Sequence, residues 1–170
     1  MSGTPTLACA GIVLRPLVAA DAPALFIALS DPVVQHYRRD AAHANIEETA
    51  RYIQDTLARS RAAWAITEGG GEALGRLALR VPEASVGEFG IVIRREAQRR
   101  GLGLRALLLA ELHAFNVLGL TRLTADVDSG NLASLALFRR AGFSDEILLQ
   151  AHHTTKLGLR DSIVLAKHPS

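Results

Sequence analysis

Cysteine is almost absent from this 170-residue chain: Cys9 is the only one. No internal disulfide can form, and a cysteine-rich metal site is excluded. Aromatic residues make up 5% of the chain, too few for a platform on which bases stack. Net charge is scarce too, at a formal +2 from 19 basic and 17 acidic residues. The basic residues are local, so nothing resembles a nucleic-acid footprint. Long apolar runs are missing. The longest are broken by Arg105, Glu111 and His113, far short of the roughly 20 residues a membrane-spanning helix needs. No basic stretch followed by an apolar core stands near Met1, so no secretory signal is visible and the expected location is the cytoplasm.

What is abundant is apolar side chain, 49% of residues, enough for a sizeable core without staples. The length argues for a single domain, residues 1–170. A first strand is expected at Ile12–Leu17, then a helix from Ala22 to about Leu29 with Asp21 before it and Pro23 in its first turn. Ile46, Ala50, Ile53 and Leu57 share one face of a helix over Ile46–Ser60. Strand-like runs follow at Ala63–Thr67, Leu74–Val81 and Glu88–Ile93, joined by short turns, which reads as an antiparallel meander. Then come a helix from about Gly101 to Leu118, a strand at Thr121–Val127 and a helix at Asn131–Ala141. Gly142 follows as its C′ residue, and strands at Ile147–Thr154 and Leu159–Ala166 close the chain. The expected fold is α/β (α+β): a mixed, mostly antiparallel sheet of about seven strands with helices on both faces, order β-α-α-β-β-β-α-β-α-β-β.

The most informative stretch is Gln98-Arg99-Arg100-Gly101-Leu102-Gly103, running on into the apolar segment from Leu104. A glycine-rich turn between a strand and a helix leaves several N–H groups unpaired at the positive end of the helix dipole. That arrangement binds anions, most often phosphate. Arg94, Arg95, Arg99, Arg100 and Arg105 surround it against a single acid, Glu96. Two phosphorylated cofactors compete for this turn. Gly101-x-Gly103-x-x-Ala106 matches the dinucleotide fingerprint, with Asp126 twenty residues further on as the ribose acid of an oxidoreductase. However, those glycines normally follow their strand at once, and here Arg94 to Arg100 intervene. No Gly-Lys-Ser/Thr follows, so a P-loop is excluded.

The element order together with Gln98-x-x-Gly101-x-Gly103 resembles the GNAT superfamily of acyl-CoA-dependent N-acyltransferases. A second match is Asn131-Leu-Ala-Ser134, on a helix that ends in Ala141-Gly142-Phe143. Leu14-Arg15-Pro16, Asp31-Pro32-Val33-Val34, Trp64-Ala65-Ile66 and Arg160-Asp161-Ser162 add to it. Together they are similar to the branch that includes the ribosomal-protein N-terminal acetyltransferases. The resemblance covers about residues 12–166.

The resemblance implies acetyl-CoA held in a V between the strands near 88–93 and 121–127, and transfer of its acetyl group to a primary amine. N–H groups from Arg99, Arg100, Gly101, Leu102, Gly103 and Leu104 would take the pyrophosphate, next to Gln98. The backbone of Ile91, Val92 and Ile93 would pair with the pantetheine amides, Asn131 would bond the same arm or cap its own helix, and a bulge near Gly90 would free an N–H for the thioester carbonyl. Glu88 is the candidate base, or a plain exposed carboxylate. Where many members carry a tyrosine as acid stands Phe138, which has no proton to give. Ser134 could substitute, or the thiolate could leave unaided. A non-catalytic acyl-CoA-binding module is therefore the second reading. The acceptor, a small amine or a peptide N-terminus, should enter past Tyr37, Arg38 and Arg39 and past His152, His153 and Lys156. The basic tilt favours an acceptor with a carboxylate over a polyamine. The two histidines, adjacent in a strand, point to opposite faces and cannot chelate a metal together. The apolar surface of the long helix or of the last strands could pair two subunits into a homodimer.

Overall fold

Ala62 to Thr67, in the run Ala-Ala-Trp-Ala-Ile-Thr, has no polar alternation, and in the computed structural model it is a strand buried on both faces. Such a strand needs elements packed on each side of its sheet. The structure describes residues 3–170; Met1 and Ser2, which the expected domain includes, lie outside the described residues. In chain order the elements are β1 (Leu7–Cys9), β2 (Ile12–Pro16), α1 (Ala22–Leu29), α2 (Ile46–Arg59), β3 (Ala62–Glu68), β4 (Gly75–Glu83) and β5 (Val86–Ile93). They continue with α3 (Leu102–Asn116), β6 (Arg122–Asp128), α4 (Leu132–Arg140), β7 (Ser144–Thr155) and β8 (Gly158–Lys167).

The strands form one sheet in the order β1-β2-β3-β4-β5-β6-β8-β7. Every neighbouring pair is antiparallel except β5 and β6. The mixed, mostly antiparallel sheet is as expected, but it has eight strands, not about seven. The extra strand is β1, three residues long and joined to β2 by Ala10 and Gly11, both at positive φ. Three residues carry no readable alternation; the two-residue turn was the available signal. A single parallel pair also removes the repeated βαβ array that a dinucleotide-binding oxidoreductase would need.

Helices α1 and α2 bury Leu25, Leu29 and Ile53 on one face, against Ala63, Ala65 and Val92. Helices α3 and α4 bury Leu107 and Phe138 on the other, against Trp64, Leu77, Leu79 and Phe89. Caps fix where these helices begin. The Asn45 side chain accepts from the Glu48 N–H at 2.9 Å, and Glu48 in turn accepts from the Ala44 N–H at 2.8 Å. Caps of this kind are worth about 1 kcal/mol. Asn131 caps α4 in the same way, accepting from the Ser134 N–H at 3.2 Å. Gly87 lies where β5, β6 and their neighbours meet. A Cβ there would come within 2.8 Å of both Leu79 and Leu120. Among the described residues no helix is long and apolar enough to cross a membrane.

Candidate active site

Strands β5 and β6 pair only over Val86–Glu88 with Arg122–Thr124. Beyond that, β6 keeps only β8, and β5 keeps only β4. Their facing edges are therefore open, the V that the resemblance implies. The open groups on β5 follow from register. The Arg94 N–H donates to the Leu74 carbonyl at 2.9 Å, in line with the β4–β5 pairing. Antiparallel pairs alternate, so residues 92, 90 and 88 bond β4 while 93, 91 and 89 face the gap. Two further contacts agree: Gly87 O accepts from Thr124 Oγ1, and Ile93 O from Gln98 Nε2 at 2.9 Å. The bulge expected near Gly90 is not there. Pairing is regular from Gly75/Ile93 to Arg80/Glu88, and the irregularity lies between Arg80 and Glu83. The N–H groups that point into the V belong to Phe89 and Ile91, not Gly90.

At the mouth of the V, the chain turns through Arg99 (φ 61°) and Gly101 (φ 75°) into α3. No N–H from Arg99 to Leu104 donates to an acceptor among the described residues; the first to do so is Arg105, to Gly101 O at 3.1 Å. Six consecutive free donors at a helix N-terminus make an anion cradle. Gly103 lets α3 approach closely, because a Cβ there would sit 3.0 Å from Ile93 Cδ1. The arginines around the turn mostly work elsewhere. Arg94 is buried, donates to Ala24 O and pairs with Glu72 at 2.5 Å. Arg95 pairs with Asp31, Arg100 with Glu68, and Arg105 donates to the carbonyls of Ala10 and Gly101. Gln98 spends its amide on Ile93 O. Of the five arginines, only Arg99 makes no bond among the described residues. The five were grouped by sequence adjacency, which does not show which way each side chain leaves the turn.

On the α2 side of the V lies a cleft of about 610 Å³. It gathers Glu88, Ile91, Asn131, Ser134 and Phe138, five residues singled out from two separate stretches of sequence. Glu88 is partly exposed and pairs with Arg80 at 3.1 Å. Asn131 and Ser134 stand on the first turn of α4, where the Asn131 carbonyl oxygen is committed to its cap. The Phe138 ring is buried and meets Phe143 edge-on at 5.2 Å. The histidines do not part to opposite faces as expected: their rings meet edge-on with centroids 6.1 Å apart, because β7 is irregular between Leu149 and His153, with Ala151 at φ 49°. His152 is exposed and pairs with Asp126 at 3.1 Å. His153 is buried, lines the cleft and lies 3.4 Å from Asp128. Burial alone would raise the Asp128 pKa; hydrogen bonds from Arg160 and the Gly130 N–H, with His153 nearby, outweigh it and hold the carboxyl below its usual range. Among the described residues no cluster suits a metal ion.

The far floor of the cleft carries residues that the sequence did not flag. Arg76, Gly90, Arg80 and Glu88 share one sheet face, because Arg76 pairs with Val92, Ala78 with Gly90 and Arg80 with Glu88. Arg76 is only 6% exposed. Its Nη1 donates to Gly90 O at 3.1 Å, and its Nη2 to the Tyr52 hydroxyl. Arg38 donates to the same hydroxyl at 3.1 Å. Both guanidiniums lie over the Tyr52 ring, 5.3 and 5.9 Å from its centroid. Burial and the Arg38 charge push the Arg76 pKa down to about 9. The signal for Arg76 was there, a cation that with Arg80 interrupts the apolar run Leu74–Val81; Tyr52, in a polar helix, gave none.

The comparisons agree with this geometry. Residues 12–144 match the family described as Acetyltransferase (GNAT) domain, so the chain belongs to that family. The chain is 32% identical to a [Ribosomal protein bS18]-alanine N-acetyltransferase of Salmonella typhimurium over 78 residues, 46% of this chain and 52% of that protein. It is 42% identical to a spermidine N(1)-acetyltransferase of Escherichia coli over 59 residues, 35% of this chain and 32% of that one. It thus spans about half the length, or less, of the curated relatives it matches. Among solved structures, a probable acetyltransferase (GNAT family) of Chromobacterium violaceum superposes with a TM-score of 0.88 at 26% identity, over 98% of this chain and 88% of that one.

Proposed function

We propose that this chain transfers an acetyl group from acetyl-CoA to a primary amine, by direct attack while both are bound. The observation that carries this reading is the run of free N–H donors from Arg99 to Leu104 at the mouth of an open β5–β6 edge. A diphosphate fits the first feature, and an amide-bearing arm fits the second as an added strand. Acetyl-CoA has both parts and supplies an acetyl thioester at the end of the arm. Ile91 and Ile93 offer the main-chain groups that would hold the arm. The N–H of Phe89 or Ile91, aimed into the gap, polarises the acetyl carbonyl.

The acceptor amine must lose a proton to attack, because a model α-amino group has a pKa of about 8 and a lysine about 10.4. Glu88 lines the cleft and takes that proton, directly or through a water. The new bond joins amine nitrogen to carbonyl carbon, and the carbon–sulfur bond breaks. Ser134 is the hydroxyl in the cleft on α4 that can give a proton to the leaving sulfur; Phe138 cannot. The acceptor classes printed for the relatives, a protein N-terminal alanine and spermidine, are both amines. The protein would act on a small amine or a peptide N-terminus in the cytoplasm.

Titration calorimetry with acetyl-CoA, CoA and NADH tests the cofactor, and thiol release with an amine panel tests transfer. Expected are binding of both CoA species, no binding of NADH, and thiol release only with an amine present. Glu88→Gln should lower kcat about 10²-fold or more, the usual span of a positioned general base. Ser134→Ala should lower it less, because a model thiol with a pKa of about 8.5 is already a fair leaving group. Thiol release unchanged in both variants would remove these two assignments. Binding of CoA with no acceptor ever consumed would leave an acyl-CoA-binding module.

A further inference from the structure

Buried cations are normally paired, since an unpaired one keeps its full desolvation cost. Arg76 breaks that rule. It is 6% exposed, and no carboxylate lies within ion-pairing distance of it or of Arg38 among the described residues. The charge that acts on it through space is a second cation, Arg38, which donates to the same Tyr52 hydroxyl. Three donors here have no acceptor. The Nε atoms of Arg76 and Arg38 are buried and unbonded. The Tyr52 hydroxyl accepts from both arginines, and its own proton goes to no acceptor among the described residues. All three residues line the cleft that also holds Glu88 and Ser134. Among the other charges facing the cleft, Glu88 pairs with Arg80, Asp128 with Arg160, and Asp126 with His152 and Arg39, while Asp55 and Arg59 on α2 line it without an ion pair to each other or to Arg76 and Arg38 among the described residues. Asp40 is close enough to act on Arg38 through space but makes no ion pair with it. Gly90 keeps the floor open, since a Cβ there would come 3.3 Å from Arg76 Nη1.

We propose that the acceptor amine carries a carboxylate, and that Arg76, Arg38 and the Tyr52 hydroxyl bind it. This deepens the acetyltransferase reading and rests on it for the word acceptor, while the anion site itself stands on the geometry. A carboxylate brings the missing negative charge and several lone pairs to planar donors suited to it. A polyamine would bring further positive charge against two uncompensated guanidiniums. The carboxylate anchors one end of the acceptor in the floor and leaves its amine on the Glu88 side of the cleft.

Succinate is the probe for the site alone. At ionic strength matched with chloride, it should bind the wild-type protein by calorimetry and raise its Tm. Arg76→Met should weaken that binding at least tenfold. Tyr52→Phe, which removes only one oxygen, should weaken it several-fold and serves if Arg76→Met does not fold. Acetyl-CoA affinity should stay at the wild-type value in both, which separates loss of the anion site from loss of the fold. A free amino acid and its carboxamide are the matched acceptors. The wild type should favour the carboxylate at least tenfold in kcat/KM, and Arg76→Met should bring the ratio near one. The proposal is overturned if succinate is silent, if the two acceptors react equally in the wild type, or if spermidine is the better substrate. Succinate binding without acetylation of any amine would overturn the acetyltransferase reading and leave the anion site standing.

Discussion

The two ends of the V are built from different materials. The end proposed for the cofactor is backbone: a run of free N–H groups from Arg99 to Leu104, shaped by Gly101 and Gly103. The end proposed for the acceptor is side chain: Arg38, Tyr52, Arg76 and Glu88 from the loop after α1, from α2, β4 and β5. A backbone cradle is fixed by local conformation, so it comes as a short motif and tolerates exchange of the residues around it. A side-chain floor is fixed by tertiary placement, so each member can change independently. A fold that keeps the first and varies the second can keep one donor while changing acceptors.

The sharpest way to break the contrast is at Gly101. Its φ of 75° is a conformation that costs an L side chain roughly 1–2 kcal/mol, more for a β-branched one. Gly101→Val should raise the acetyl-CoA Kd about tenfold or more while leaving selectivity among acceptors unchanged; calorimetry and a competition assay read the two. A variant that altered selectivity as strongly as affinity would dissolve the distinction between the ends. A smaller effect separates Arg99 from its neighbours. Arg99→Ala should weaken acetyl-CoA a few-fold and flatten the salt dependence of binding, because Arg99 is exposed and uncommitted. Arg95→Ala, which breaks the pair with Asp31, should leave the affinity within twofold.

The smallest expected effect is in acid, at the acceptor end. His43 sits edge-on to the Tyr52 ring at 5.5 Å, and burial, with the Arg38 charge, holds its pKa below the usual 6.5. Burial and Arg61 do the same for His113. The unfolded chain therefore takes up these protons first as the pH falls below about 6.5, and the folded state loses stability from there until the lowered folded values are passed. Thermal melts at constant ionic strength should show Tm falling across that window, with a shallower slope in His43→Gln. A flat profile between pH 6.5 and 5 would remove this link.

The same contrast explains what could be read from the sequence. The glycine turn, Asn131 as a helix cap and Gly142 as a stop are local chemistry, and each stands where its residues place it. Glu88 and Ser134, singled out through resemblance, line one cleft. Arg76 was not legible as a site residue. Its role depends on Val92 lying opposite, on Gly90 leaving room, and on Tyr52 arriving from a helix 24 residues earlier. The arginines after Ile93 misled in the opposite direction: they are close in sequence, yet Glu68, Glu72, Asp31 and Ala10 claim four of them from remote segments.

One such remote tie, with the placement of β8, sets an order in time. Arg105 donates to Ala10 O across 95 residues, so the anion turn gains its brace from a segment made early in synthesis. The far wall of the V waits much longer. β6 holds β5 at three positions but β8 at six, from Leu123 to Asp128, and Lys167 at the end of β8 ties to Glu111 on α3 at 2.5 Å. A nascent chain that stops short of β8 would own a finished donor cradle with nothing to close it. Under the proposed acetyl transfer, the molecule can hold both substrates only when its last strand is in place.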